Sequence, residues 1–548
     1  MARIQMLTLP PRLTVLFLIL TGLVHFLAAP VVSAQQRLDV LAEVGPWPVA
    51  SNLIVYRGRL WFSNSVKGRN HNSADIWSLD PKTGNVRYER HLFSQDAGRP
   101  LIFNGLLYWP HEDPRISLGH GIVSVTNGSE WRELDISTAM MFHVHELVDW
   151  GGSMVAVTSA WRAGLQVSDD GGASWSQFYD HATAPRRTSR LQSATVLGGR
   201  LYFRLSDPSG TRLVAFKEGR PVAIDGWPKQ HFRALTAYRG AVFAIVGKGN
   251  SATLWRSSGR RSEPVTGISA DGQLVDLHAG DGKLSALFAN GNGGYVATSD
   301  DGAAWRIAVV FDGGRPTELI SAGQQILVGG AGPDGRAMIW GLKGTALPHE
   351  TDTANLQLPA PFKLPTIDGI DWPQQAVNLK SALSNPANFE NHGRDGLKKT
   401  VRGIVSLSPP DTFLAEHLDA PMPSNRVGVI GGEYSVPARQ IGKWILLAGM
   451  ASNPNSVVPV DYLERNWDVP AKQSEKYFDP LLGALFTVSR NRQGDRATVS
   501  TLIDRLQTGR DPLWLTGDVI GALNAITGQR FGYDTAGWAA WWRGQYVD

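Results

Sequence analysis

Apolar and polar residues alternate along much of the chain between residues 40 and 345, which is the pattern of short, half-buried β-strands. In this region a turn dipeptide followed by an apolar strand recurs seven times, at intervals between 41 and 48 residues. Dipeptides such as Asn-Gly, Gly-Gly and Asp-Gly favour the positive φ angles of tight hairpin turns. The seven turns are centred on Arg57-Gly58, Asn104-Gly105, Gly151-Gly152, Gly198-Gly199, Arg239-Gly240, Asp281-Gly282 and Ala322-Gly323.

A hairpin that returns at this period indicates a radially repeated structure. Each interval has room for four short antiparallel strands, which is one blade of a β-propeller. The sequence therefore predicts an all-β, seven-bladed propeller of four-stranded antiparallel blades over residues 40–345.

A second repeat follows about 20 residues after the hairpins and fits Ser/Thr-x-Asp-x-Gly-x-x-Trp in two places. The matching residues are Ser168, Asp170, Gly172 and Trp175 in one copy, and Thr298, Asp300, Gly302 and Trp305 in the other. This motif resembles the Asp box, or BNR repeat, of sialidase-like and sortilin-like propellers. The resemblance implies a structural turn away from any active site, with the Asp accepting backbone N–H groups. It also implies that Trp175 and Trp305 are buried between blades.

The resemblance does not extend to a sialidase active site. The family binds its substrate carboxylate through three arginines, the first of them in an Arg-Ile-Pro segment, and this chain has no such segment. Gly-Arg-Pro occurs at Arg99, Arg220 and Arg315, but the blade pattern assigns Arg220 to the opposite face. No catalytic set can therefore be transferred, and whether the protein is an enzyme stays open.

The composition and the hydrophobic pattern of the chain change after the repeats. Residues 346–373 contain five prolines and no hairpin cue, which predicts an extended linker. Residues 374–548 are predicted to form a smaller α-helical domain, because apolar residues recur there at helical spacing. Its helices include 438–450, 516–527 with Gly528 as the stop, and a last helix capped by Asp534. The closing segment 523–542 resembles bacterial HEAT-like repeats, which implies an interaction surface.

Residues 1–34 predict a secretory signal peptide, because two arginines precede an apolar run and Val32-Ser33-Ala34 offers a cleavage site. A single membrane anchor is the alternative. Removing residues 1–34 takes away two arginines and no acidic residue, so the formal net charge falls from +4 to +2. Such a balance gives no support for nucleic-acid binding. The absence of cysteine excludes disulfides and thiolate chemistry. We therefore expect a periplasmic or extracellular protein without stable membrane insertion after cleavage.

One face of the predicted propeller should collect the loops between second and third strands together with the crossings between blades. These loops are rich in arginine and in imidazoles that are neutral near pH 7. The candidate ligand-binding residues are Arg99, His111, Asp113, Arg115, His120, His143, His145, Arg162, Arg186 and Arg187. The arginines favour an anion site. The alternatives are a divalent metal held by His111, His120, His143 and His145, or plain hydrogen bonding between loops. No cofactor is assigned.

Three functions stay open at this point. The first is an extracytoplasmic recognition protein that binds an anionic glycan or protein on the propeller face and a partner on the helical domain. The second is an enzyme acting on acidic glycans, as a sialidase-like hydrolase or a uronate lyase, with carboxylates such as Glu112 or Asp113 paired with Asp96. The third is an assembly or scaffold protein.

Overall fold

The structure is a computed structural model. It describes residues 35–66, 74–114, 121–136, 141–160, 162–181, 189–217, 219–259, 261–268, 271–349, 356–360, 369–390, 394–429, 434–469 and 478–545. The predicted signal peptide, residues 1–34, lies outside them.

Seven blades form the propeller, which confirms the predicted fold class. Two strands precede the first blade, β1 (Gln36–Arg37) and β2 (Asp39–Val44). Blade 1 consists of β3 (Val49–Tyr56), β4 (Arg59–Ser65), β5 (Ala74–Asp80) and β6 (Asn85–Leu92), and blade 2 of β7 (Leu101–Phe103), β8 (Leu106–Pro110), β9 (Gly121–Thr126) and β10 (Trp131–Ile136). Blade 3 consists of β11 (His143–Trp150), β12 (Ser153–Ser159), β13 (Ala163–Ser168) and β14 (Ser176–His181), and blade 4 of β15 (Arg190–Leu197), β16 (Arg200–Asp207), β17 (Gly210–Lys217) and β18 (Arg220–Ala223). Blades 5 to 7 consist of β19 (Phe232–Tyr238), β20 (Ala241–Val246), β21 (Thr253–Ser257), β22 (Ser262–Pro264); β23 (Gln273–Gly280), β24 (Lys283–Asn290), β25 (Gly293–Ser299), β26 (Arg306–Asp312); and β27 (Arg315–Ala322), β28 (Gln325–Ala331), β29 (Ala337–Gly341).

The predicted hairpin turns join the first two strands of every blade. Arg57 and Gly58 have φ angles of 51° and 70°, and Asp281 and Gly282 have φ angles of 52° and 73°. Consecutive positive φ angles match the right-handed twist of the flanking strands, which is why these dipeptides stand there.

Blade 7 has only three strands of its own and takes its fourth from the beginning of the propeller. Strand β2 pairs antiparallel with β29, with Asp39 opposite Gly341. Strand β1 adds a parallel fifth strand to blade 6 beside β26. The ring is therefore closed by an N-terminal strand, which the repeat pattern did not predict.

Carboxylates on three innermost strands hold the neighbouring blade by its backbone. Glu146 accepts the N–H of Ala194 at 2.6 Å, joining blade 3 to blade 4. Asp276 accepts the N–H of Leu319 at 3.0 Å, joining blade 6 to blade 7. Glu318 accepts the N–H of Asn52 at 2.6 Å, joining blade 7 to blade 1. We call these three contacts the carboxylate clasps. Each lies at a β-bulge, where the ladder leaves a backbone group unpaired.

Carboxylate-capped turns are present at both predicted places, and in one of them the capping residue differs from the prediction. In the first turn Asp170 accepts the N–H of Ser174 at 2.9 Å. In the second turn the capping carboxylate belongs to Asp301, which accepts the N–H groups of Ala303 and Ala304 at 2.8 Å. The predictions of Thr298 and Asp300 were therefore each wrong by one residue. The Ser299 hydroxyl, not that of Thr298, accepts the N–H of Gly302, three residues later, whereas the Ser168 hydroxyl accepts the N–H of Gly172, four residues later. The second turn is thus one residue shorter than the first.

The tryptophans of these turns pack as inter-blade plugs but are only partly buried. Trp175 contacts the apolar cluster shared by blades 2 and 3, and Trp305 contacts the cluster shared by blades 5 and 6. Both keep an intermediate exposure, so the expectation of full burial was too strong. Membership of the Asp-box class stays a prediction.

Nine α-helices follow within the described residues. They are α1 (Trp372–Ser384), α2 (Arg394–Val405), α3 (Asp411–Asp419), α4 (Ala438–Gly449), α5 (Val458–Arg465), α6 (Pro480–Asn491), α7 (Arg496–Thr508), α8 (Leu513–Thr527) and α9 (Thr535–Gly544), with a hairpin of β30 (Arg426–Val429) and β31 (Tyr434–Pro437) before α4. Gly528 ends α8 with a φ of 72°, and the Asp534 carboxylate accepts the N–H of Gly537, as predicted. In the described part of the chain, no helix combines the length and hydrophobicity required to cross a membrane. Similarity to HEAT-like repeats stays a prediction.

The helical domain packs on the outer edge of blades 1 and 2. Tyr88, Phe93 and Ile122 of the propeller belong to the same apolar cluster as the helix cores. The rings of Phe93 and Phe486 meet edge to face with centroids 5.6 Å apart. Before the helices, Leu347 packs into the core shared by blades 7 and 1, so the chain runs along the side of the ring that carries the hairpin turns.

Candidate ligand-binding face

We define the upper face as the face where the innermost strands begin and where the loops between second and third strands lie. The hairpin turns and the Asp-box turns lie on the opposite, lower face. This separation follows from the antiparallel order of strands in each blade, so it agrees with the arrangement expected from the sequence.

On the upper face, blades 2 and 3 bring two imidazoles against two carboxylates. The Nδ1 atom of His143 donates to the carbonyl oxygen of Glu112 at 2.7 Å. The same nitrogen lies 3.9 Å from a carboxylate oxygen of both Glu112 and Asp113. The Nδ1 atom of His145 lies 3.6 Å from Oε1 of Glu112. These four residues are the histidine–carboxylate cluster.

Arg190 approaches the cluster from the first strand of blade 4. Its Nη1 atom donates to the carbonyl oxygens of Ala160 at 2.7 Å and of Ser189 at 3.1 Å, which fixes the guanidinium beside the cluster. Its charge interacts favourably with the carboxylates of Glu112 and Asp113. A ligand at this cluster would therefore meet the positive charge of Arg190 beside groups that can donate or accept protons.

Burial raises the pKa of Glu112 to about 8, with further upward contributions from the carboxylates of Asp113 and Asp96 and an opposing one from Arg190. The side chain is 28% exposed, so it is sheltered but reaches the surface. At neutral pH the carboxyl group is mostly protonated and offers an O–H donor.

The two imidazoles shift in the opposite direction. Burial lowers the pKa of His145 well below its ordinary value, and the neighbouring His143 and Arg190 lower it further. Burial also lowers the pKa of His143. The two rings lie parallel with centroids 5.8 Å apart, and Nε2 of His145 is 2.6 Å from the Ser159 hydroxyl. Both shifts favour the neutral imidazole at pH 7.

His111 does not join this cluster through its ring. The side chain is fully buried, and its Nε2 lies 2.9 Å from the hydroxyl of Ser124 inside blade 2. Burial lowers the pKa of His111 to about 4. The candidate is therefore placed as a core histidine, while its backbone carbonyl accepts the N–H of Val144 at 3.1 Å and joins blade 2 to blade 3.

Arg99 lies just before the innermost strand of blade 2, among the carboxylates of the three clasps. Its Nη1 atom is 3.2 Å from Oε1 of Glu146, and the charges of Glu318 and Asp276 also stabilise it. It keeps 45% of its side-chain surface open to solvent, whereas Glu146 keeps 6%. Its charge is already balanced by these acidic neighbours, so Arg99 is the counter-ion of the clasp carboxylates.

Of the remaining candidate ligand-binding residues, one forms an ion pair and the other four lie outside the described residues. Arg162 pairs with Asp180 through its Nε and Nη2 atoms, and the Nε to Oδ1 distance is 3.1 Å. Arg115, His120, Arg186 and Arg187 lie outside the described residues, so their roles stay predictions.

Metal binding gains no direct geometric support from the described part of the chain. In that part, no group of three or more His, Asp and Glu side chains converges as a metal site. Of the four predicted metal ligands, His111, His120, His143 and His145, His120 lies outside the described residues. The buried ring of His111 faces Ser124.

The three clasp residues were not predicted from the sequence. Glu146, Asp276 and Glu318 occupy equivalent bulges, each as the fourth residue of its innermost strand. Aligning these strands by their hairpin turns would have revealed an acidic residue at the same depth in blades 3, 6 and 7.

A second concave surface lies in the helical domain between α1 and α2. It encloses about 630 Å³ and is bordered by carboxamide and hydroxyl side chains. Its lining residues include Gln375, Asn378, Asn385, Asn388, Lys399 and Thr400. No carboxylate lines this groove among the described residues, so Lys399 gives it a positive charge.

No protein-family profile and no curated protein matches this chain. Among solved structures, the β-propeller domain of the Trilobed protease from Pyrococcus furiosus is 11% identical, with a TM-score of 0.38 over 57% of this chain and 100% of that one. The computationally designed Ika8 protein is 12% identical, with a TM-score of 0.36 over 56% and 100%. A puromycin-hydrolyzing peptidase from Mycobacterium tuberculosis is 11% identical, with a TM-score of 0.40 over 57% and 56%. Similarity at this level carries no argument about function.

Proposed function

We propose that the protein is an extracytoplasmic recognition protein that binds an acidic glycan at the histidine–carboxylate cluster. The observation that supports this most is the combination of Arg190 with a Glu112 that is protonated at neutral pH. A ligand carboxylate can accept hydrogen bonds from both groups, and the neutral imidazoles of His143 and His145 can pair with sugar hydroxyls. An acidic segment of a protein partner presents the same carboxylate chemistry.

This proposal predicts a specific pH dependence of binding. As the pH rises through about 8, Glu112 becomes negatively charged and repels an anionic ligand, so affinity should fall between about pH 7 and about pH 9. The Glu112→Gln variant keeps a neutral hydrogen-bond donor, so its affinity should stay nearly constant. Titration calorimetry of the full chain against uronate, sialylated and sulfated oligosaccharides measures both.

Arg190→Ala should weaken binding of the same oligosaccharide about 10-fold to 100-fold, the range expected for the loss of a charge-assisted hydrogen bond. Arg200→Ala is the matched control, because Arg200 is exposed and begins β16 directly after a lower-face turn. Equal losses in the two variants, or binding to neutral oligosaccharides with the same affinity, would contradict the proposal.

A second candidate function is catalysis on the same glycan. It is favoured by one feature, the contact between Glu112, whose pKa is raised, and His145, whose pKa is lowered, because such a pair supplies an acid and a base at one pH. Ultraviolet absorbance of an unsaturated product would identify a lyase, and new reducing ends would identify a hydrolase. Saturable binding without either product supports recognition alone.

The groove between α1 and α2 favours a protein partner for the helical domain. Carboxamide side chains such as Asn378 and Asn385 can pair with the N–H and C=O groups of an extended peptide, and Lys399 selects acidic sequences. Peptides selected from a displayed library should lose about 10-fold in affinity for the Asn378→Ala, Asn385→Ala double variant. They should bind unchanged to Lys380→Ala, an exposed α1 residue outside the groove lining. If the library yields no peptide that depends on the groove, this part of the proposal is wrong.

A further inference from the structure

One imidazole joins the propeller to the helical domain between two carboxylates. The Nδ1 atom of His91, on β6, lies 2.8 Å from Oδ1 of Asp75 on β5. Its Nε2 atom lies 2.8 Å from Oδ1 of Asp518 on α8, 427 positions away in the chain. Both ring nitrogens therefore face an acceptor, one in each domain.

The three side chains are fully enclosed. His91, Asp75 and Asp518 have no exposed side-chain surface. Helix α8 can come this close because Gly521 stands opposite the imidazole, where a Cβ atom would lie 3.0 Å from the His91 ring. Tyr533 donates its hydroxyl to the other oxygen of Asp75 at 2.8 Å, and the indole N–H of Trp47 donates to the same oxygen at 3.2 Å.

The protonation state of His91 decides how many of these contacts are hydrogen bonds. A protonated imidazole donates from both nitrogens, whereas a neutral one has a single N–H and turns a lone pair toward the second carboxylate. Because the three side chains are shielded from solvent, that second contact would be repulsive. We propose that His91 is an imidazolium that latches helix α8 to blade 1, so that the docking of the helical domain depends on one buried proton.

The other charged groups near His91 are already paired. On β6, Glu89 pairs with Arg530 at 2.6 Å and Arg90 pairs with Glu133 at 2.8 Å. Tyr88 and Tyr533 are neutral, because burial raises the pKa of both phenols well above the ordinary value. In blade 2, His111 is neutral, with a pKa lowered to about 4. Asp75 and Asp518 are thus the partners that hold the proton on His91.

The direction of the His91 pKa agrees with this geometry. Burial alone would lower the pKa, but the hydrogen bonds to Asp518 and Asp75 outweigh it, so the pKa is raised above 6.5. Because the folded-state pKa is higher than the unfolded one, the stabilisation is complete below about pH 6.5 and is lost as the pH rises through the folded value. The latch should therefore weaken in alkaline solution.

The proton can be observed directly by NMR of the full chain. At about pH 6, below the ordinary imidazole pKa of 6.5, a doubly bonded imidazolium should give two strongly deshielded N–H proton resonances. Both should vanish in His91→Gln and stay in His349→Gln, a variant of an exposed histidine. A single resonance at His91, or none, at this pH would overturn the proposal.

Stability measurements test the consequence for docking. The denaturation midpoint of the wild type should fall between about pH 7 and about pH 10 more steeply than that of His91→Gln or Asp518→Asn. Comparing slopes, rather than absolute midpoints, keeps the test valid if either variant is less stable. It also cancels the alkaline contribution of Glu112, which all three proteins share. Equal slopes would overturn the proposal, and they would leave the glycan-binding proposal unaffected.

Discussion

Replacing Glu146 by alanine is expected to lower the free energy of unfolding by about 1 to 3 kcal/mol. Glu146 is almost completely buried. Its carboxylate accepts the N–H of Ala194 and also pairs with Arg99. The variant leaves the Ala194 amide buried without its acceptor and removes one of the three acidic neighbours of Arg99. The buried amide dominates the cost, because Arg99 keeps two acidic neighbours and 45% of its side-chain surface in solvent.

Urea denaturation followed by tryptophan fluorescence measures this loss. Glu130→Ala provides the control, because Glu130 is exposed and should change stability by less than about 0.5 kcal/mol. Glu146→Gln should fall between the two, since the amide oxygen can still accept from Ala194. A loss below about 1 kcal/mol in Glu146→Ala would show that the clasp is not a structural joint.

The Trp340→Ala variant is expected to lose about 3 to 5 kcal/mol of stability. Trp340 is fully buried in the cluster shared by blades 6 and 7, donates its indole N–H to the carbonyl of Asp312 at 2.8 Å, and packs on Phe311. It stands on β29, the strand that pairs with β2. The cavity would therefore weaken the blade that closes the ring.

Thermal and urea unfolding of Trp340→Ala should be compared with those of Val40→Ala. Val40 pairs with Trp340 across the same ladder but is 37% exposed, so its truncation should cost about 1 kcal/mol or less. If the two variants lose similar amounts, the closing ladder rather than the buried indole carries the stability.

The repeated part of the fold was accessible from sequence because each blade is encoded locally. Turn dipeptides, alternating strands and helix caps such as Gly528 act over a few residues, so their effect can be read one blade or one helix at a time. The Asp170 turn was predicted for the same reason. Asp301 was missed because Asp300 and Asp301 are adjacent, and the choice between them depends on the length of the turn.

The candidate site was predicted in part. His143, His145 and Asp113 come together because two neighbouring loops of one face were identified correctly. The burial of His111 depends on the direction of its side chain at the end of β8, which a loop assignment cannot give. The counter-ions of Arg99 and the partner of His91 come from distant blades and from α8, and no local pattern connects them.

The closing strand also sets an order of events during synthesis. Strand β2 is synthesised before any blade, whereas its partner β29 is synthesised after all the other propeller strands. The edge of β2 therefore stays unpaired while the propeller is being synthesised. The first six blades can pair their own strands as they emerge, but the ring cannot close before residue 341 is available. Completion of blade 7 is thus a late, non-local step that should set the folding rate of the propeller. A chain that ends before β29 would leave the edge of β2 exposed, and an exposed strand edge is distinguishable from the closed propeller.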